Sequence, residues 1–219
     1  MRIRTASSVT RSVLLTIFLL LASRFQMFAV VTTTVYNSFG PGNTYNSGIV
    51  WAVGGAAASG GYRGQAEYFV PGISGNLTTI QLATLQLGGS KLSNFFIAQD
   101  DGNGIPGTIL ESFLSVQNAN GLMTINSATQ PLLQAGQKYW LCDEPTADNS
   151  YNGWYQNSQG VANGFAFERS QWGWSFVGAP APSSGVFSVA VAPVPEPSVA
   201  GLAVLGIGVL ARRFRSARV

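Results

Sequence analysis

The chain of 219 residues contains no histidine. That excludes His-based metal sites, Ser-His and Cys-His nucleophilic pairs and histidine general bases. It has one cysteine, Cys142, so no intrachain disulfide can form. Basic residues are scarce outside the ends. Arg2, Arg4, Arg11 and Arg24 open the chain, and Arg212, Arg213, Arg215 and Arg218 close it. Between them, four basic residues stand against eight acidic ones, a net charge of −4. The body is therefore mildly acidic despite a sequence pI near 9.2, and nucleic-acid binding is rejected. Long apolar runs are also missing. The two apolar segments, residues 13–22 and 199–211, fall short of the roughly 20 residues that span a hydrocarbon core.

What is present is Gly, Ser, Asn and Thr in abundance, the composition of a turn-rich, all-β exported protein. Residues 1–29 read as a secretory signal. Arg2, Arg4 and Arg11 form the positive start, residues 13–22 the apolar stretch, and Ala29 the cleavage position, with Ala22 competing. In the last 26 residues, Pro195 and Pro197 hold the chain extended, because proline fixes φ and lacks the N–H. The 13 uncharged residues that follow, among them Val199, Leu202, Leu205, Ile207 and Leu210, make a short membrane segment, roughly 20 Å as helix. Arg212, Arg213, Arg215 and Arg218 mark its cytoplasmic end, which leaves the body outside the cytoplasm.

This tail resembles the PEP-CTERM sorting signal. Pro195, Glu196 and Pro197 match its Pro-Glu-Pro, residues 199–211 its short apolar helix, and Arg212 to Arg218 its basic end. The resemblance implies an exosortase as partner, a membrane-embedded, cysteine-protease-like transpeptidase of Gram-negative bacteria that make exopolysaccharide. Pro195, Glu196 and Pro197 are then a processing motif acted on by another protein. The expected course is export, an inner-membrane-anchored precursor, and then the cell surface or the extracellular matrix.

The body, residues 30–193, reads as nine to eleven short strands separated by turn signals, which predicts an all-β fold: an antiparallel β-sandwich or jelly roll. A signal helix and a short transmembrane helix are expected to flank it. The longest alternation, residues 77–87, puts Leu77, Thr79, Gln81, Ala83, Leu85 and Leu87 on one face. A strand that long is expected to bend or to be buried on both faces. Phe39 to Gly42, Trp51 to Gly55, Asp101 to Ser112 and Leu133 to Leu141 resemble segments of the choice-of-anchor family, R group, of exported bacterial β-sandwiches. That resemblance implies surface display and no known activity.

Three groups are candidates for chemistry. Asp100, Asp101 and Asn103 could ligate calcium, but the spacing is not that of a calcium loop, and a tight turn is the favoured reading. Trp154, Trp172 and Trp174, among amide side chains, are candidate carbohydrate-binding residues, since sugars stack on exposed indoles and bond to amides. Core filling is the competing reading and is favoured, most firmly for Trp140. Glu67, Glu111, Glu144 and Glu168 could supply a glycosidase carboxylate pair, but nothing in the sequence selects one. The expectation is a non-enzymatic exported surface or matrix protein with no cofactor and no metal. A carbohydrate-binding module for the host exopolysaccharide is the alternative, and a glycan-active enzyme the weaker one.

Overall fold

Alternating apolar and polar residues, broken by glycine- and proline-rich turns, become thirteen strands among the described residues. The computed structural model describes residues 31–169, 173–176 and 184–194. The signal segment, Trp172, the processing motif Pro195, Glu196 and Pro197, the membrane segment and the terminal arginines lie outside the described residues.

The first sheet follows the hydrogen-bonded path β1 (Thr33–Asn37), β13 (Phe187–Pro193), β4 (Gly75–Gly89), β10 (Ser150–Gln156), β2 (Asn46–Gly54). β7 (Gly121–Asn126) and β8 (Leu132–Leu133) also pair with β4. Leu82 pairs with both Phe187 and Met123, and Thr84 with both Trp154 and Gly121. So β7 takes one edge of β4, while β13 and β10 share the other end to end. The second sheet runs β12 (Gly173–Phe176), β11 (Phe165–Arg169), β3 (Gly64–Phe69), β9 (Tyr139–Pro145), β5 (Leu92–Asp100), β6 (Pro106–Gln117). Every pairing is antiparallel.

The sheets pack as a β-sandwich. Leu77, Ile80, Leu82, Trp154, Phe187, Val189 and Val191 of the first sheet meet Phe69, Phe95, Ile97, Phe113, Tyr139 and Leu141 of the second. The expected single alternation along β4 does not hold. Thr79 pairs with Ala190 but Leu77 with Val191, so a bulge at Thr78 shifts the pleat by one. Leu77 therefore joins Ile80 and Leu82 in the core, while Ala83 and Leu85 pack on the outer face against Phe39, Tyr155 and Val186. The strand is buried on both faces, as its length implied.

Two strands fall where none was expected. β1 is one, and β8 is the other, a two-residue pairing inside a segment that reads as a turn. A one-turn helix, α1 (Ala56–Ser59), fills the small-residue stretch after β2. Pairing of Thr33 with Val191 sets the start of β1 beside the end of β13. The chain thus enters and leaves the sandwich at the same end of the first sheet.

Candidate functional site

Trp154 takes the favoured reading, core filling, and drops out as a carbohydrate-binding candidate. Its turn-rich setting left an outward ring open, but it lies inside β10 with the pleat turned to the core and is 1% exposed. Its Nε1–H donates to Val186 O at 2.9 Å, and its ring meets Phe187 edge-on at 5.6 Å. A buried indole with its donor satisfied has no face left for a sugar. Trp140 is fully buried, as expected, but on the outer side of the second sheet, where Tyr68 and Ile105 pack over it. Trp174, half-buried on β12, has a different neighbourhood.

The register across the second sheet explains it. Trp174 pairs with Glu168, and Glu168 with Gly64, so these residues project from the outer face in one row. A Cβ on Gly64 would lie 3.3 Å from Glu144 Cγ, Glu168 Cβ and Trp174 Cη2 alike. The missing side chain is the reason two carboxyls from strands on either side of β3 can touch. Glu144 and Glu168 lie in hydrogen-bond contact, with the Tyr62 phenol beside both. Burial, then the adjoining Glu168, pushes the Glu144 carboxyl well above the ordinary carboxylate range. Burial and both glutamates push the Tyr62 phenol up as well. Next to this row, Ala66, Cys142 and Ala166 form a floor of small side chains under Trp174, whose ring reaches Phe96 at 6.1 Å. Cys142 is fully buried there, with its thiol pushed up by burial.

Chemically, a Glu144 carboxyl raised in this way can donate as well as accept a hydrogen bond. That suits hydroxyl groups. Contact between the two carboxyls does not suit glycoside cleavage, whose own pair stands about 5–5.5 Å or 6.5–9.5 Å apart. The other two glutamates are engaged separately. Glu111 accepts from the Ser127 hydroxyl and from the amides of Ala128 and Thr129. Burial opposes its ionisation, but these bonds outweigh it and hold the carboxyl below its ordinary range. Glu67 is buried between the sheets. Gly185 N–H donates to its Oε1 at 2.8 Å, while Oε2 has no partner among the described residues. The neighbouring Ser184 hydroxyl donates instead to Asn163 O. Burial raises the Glu67 pKa to about 8.

The loop between β5 and β6 is built as a turn, the favoured reading. Asp101 Oδ1 accepts from the amides of Asn103 and Ile105, and Oδ2 from Asn103 Nδ2. Those bonds depress its pKa, led by the Asn103 side chain. Asp100 Oδ1 accepts from Trp140 Nε1 at 2.8 Å, which ties the loop to the strand beneath. Among the described residues no three His, Cys, Asp or Glu side chains gather into a metal-ligating group.

Between the sheets, a cleft of about 300 Å³ is lined by Trp51, Ala52, Arg63, Gln65, Phe165 and Phe167. Trp51 and Phe165 face each other at 4.8 Å. None of these residues, nor Tyr62, Gly64 or Asp143, stood out in the sequence as a site candidate, although Trp51 and Ala52 lie in a segment that carries the family resemblance. Asp143 carried a signal: in Y-W-L-C-D it shares the parity of Tyr139 and Leu141, which sets a carboxylate on the core face. No family model matches the chain, and no curated protein matches it either.

Proposed function

We propose that this chain is a non-enzymatic exported protein, sorted by an exosortase through its tail and displayed at the cell surface or in the extracellular matrix. The observation that carries this reading is the order of the tail: Pro195, Glu196 and Pro197, then fourteen uncharged residues from Ser198 to Ala211, then four arginines among the last eight residues. Its position supports the reading. The last strand ends at Pro193, and Val194 N–H is still held by Ser74 O at 3.2 Å. The processing motif begins at the next residue, so cleavage there removes no residue of a described strand. In the expected cell fractionation, deleting residues 194–219 shifts the product from membrane-bound precursor to freely released protein. Replacing Pro195 and Pro197 by alanine leaves uncleaved precursor in the inner membrane. Unchanged size and location for both variants would refute the proposal.

A second reading, saccharide binding, is favoured by the row of Trp174, Glu168, Glu144 and Tyr62, in which Trp174 alone of the described candidate indoles takes part. An indole edge, a phenol and two adjoining carboxyls on one outer sheet face match the apolar faces and hydroxyl rims of sugars. Titrating the protein with host exopolysaccharide should give a saturable change in tryptophan fluorescence that Trp174→Ala and Glu144→Gln both remove. A change that survives both variants would sink this reading.

A further inference from the structure

One end of the sandwich interior is filled by polar side chains that all turn the same kind of atom inward. Asn118 Nδ2 donates to Lys91 O at 2.9 Å, Asn152 Nδ2 to Leu92 O at 3.2 Å, and Gln65 Nε2 to Ala52 O at 3.0 Å. Each amide is thereby pinned by a main-chain carbonyl, and flipping any of them would set oxygen against oxygen. The other ends, Asn118 Oδ1, Asn152 Oδ1 and Gln65 Oε1, are buried without a hydrogen-bond partner among the described residues. Both oxygens of Asp143 share that condition. Asp143 and Asn152 are fully buried, Asn118 is 3% exposed and Gln65 8%.

These groups are linked to one another. Asn118 and Asn152 both donate to Ser93 Oγ, at 3.0 and 3.3 Å. Burial pushes the Asp143 carboxyl up; the Ser93 hydroxyl beside it works the other way but lies outside hydrogen-bond geometry. Gln65 is the direct cross-strand partner of Asp143. Five unpartnered acceptor oxygens thus belong to side chains linked through Ser93 and the Gln65–Asp143 pair, where the local donors are one hydroxyl and, if protonated, one carboxyl. A pocket for water would mix donors and acceptors, because water is both. An all-oxygen, acceptor-only lining is the lining of a hard cation. The lining holds a single carboxylate, so one positive charge balances it, and a buried charge needs that balance.

We propose that Asp143, Gln65, Asn118 and Asn152 form an internal site for a small hard metal cation, charge balance pointing to a monovalent one such as Na⁺ or K⁺. The site departs from the expectation of no metal drawn from the sequence, where three amides and one carboxylate scattered over three strands and a loop give no ligand spacing. Gln65 also lines the inter-sheet cleft, which gives the ion a route from solvent.

The test is thermal unfolding of the purified full chain, treated with chelator, in choline chloride and then in NaCl, KCl or LiCl at the same ionic strength. Choline is too large to enter the interior. The proposal expects Tm to rise by roughly 5 °C or more in at least one alkali salt over choline. Asp143→Asn, which keeps the shape, should lose that difference. Should that variant not fold, broadening of the ²³Na resonance by the wild-type protein, reversed by excess K⁺, reads the same site directly. A response to millimolar Ca²⁺ as well supports the same oxygen cage. Identical Tm values in choline, alkali and calcium salts, with no ²³Na broadening, would overturn the proposal and leave the pocket to water and a protonated carboxyl.

Discussion

Two tryptophans show how far a single residue's role depends on which way the pleat turns. Trp154 fills the core and satisfies its own N–H, whereas Trp174 lies half-buried on an outer face. Trp154→Ala should cost about 3–5 kcal/mol in urea denaturation, and Trp174→Ala about 1 kcal/mol or less. Equal losses would mean that Trp174 is as much core as Trp154. Glu67 makes a prediction about pH. Its carboxyl titrates near 8 when folded and near the ordinary carboxylate value when unfolded. Between those values the folded state holds a proton that the unfolded state has lost. Its contribution is therefore complete at low pH and declines as pH rises, by up to about 1.4 kcal/mol per pH unit, until pH passes about 8. Glu67→Gln should match wild type near pH 4.5 and be the more stable of the two at pH 8.5, read from denaturation midpoints across that range. A constant difference between the two proteins would show that Glu67 is ionised in the fold throughout.

At the scale of the element, contacts that local sequence cannot reveal hold strands and loops in place. Glu111, on β6, receives three hydrogen bonds from residues 127–129 and so pins the loop between β7 and β8 across to the second sheet. Three donors lose their acceptor in Glu111→Ala, which should destabilise by about 2–3 kcal/mol. Hydrogen exchange of the amides of Ala128 and Thr129 should accelerate in that variant, and unchanged protection would contradict the assignment. Gly64 sets the spacing between β9 and β11 on the outer face. Gly64→Val would push a side chain between Glu144 and Glu168, so the two carboxyls should titrate independently in an NMR pH series. The bulge at Thr78 belongs to the same scale. It lets one 15-residue strand present Leu77 to the core, then Ile80 and Leu82, and still bury Ala83 and Leu85 on its other face.

For the whole molecule, closure by β13 is decisive. It lies between β1 and β4 and brings Phe187, Val189 and Val191 to the core. A chain stopped after Gly185 should not fold cooperatively, whereas one stopped after Val194 should melt within about 2 °C of the full chain, by circular dichroism. A cooperative melt from the shorter form would mean that the rest of the sandwich closes without its last strand. Pairings such as Thr33 with Val191 join the two ends of the body, and pairing over such distances is slow to form.

The sequence by itself determined the fold class and most of the strands. Period-two alternation between glycine and proline turns is a local property, and a strand needs nothing more to be legible. It also carried the tail's order of prolines, apolar residues and arginines, from which the sorting proposal comes. β8 was hidden because two residues hold no period, and the phase change at Thr78 because a bulge depends on what the neighbouring strand does. The sites were decided by tertiary structure alone. Glu144 meets Glu168 only because the register sets Gly64 between them. The amides of Gln65, Asn118 and Asn152 turn oxygen inward only because main-chain carbonyls of neighbouring segments take their N–H groups. Nothing local to any of those residues encodes which partner the other sheet or strand will supply.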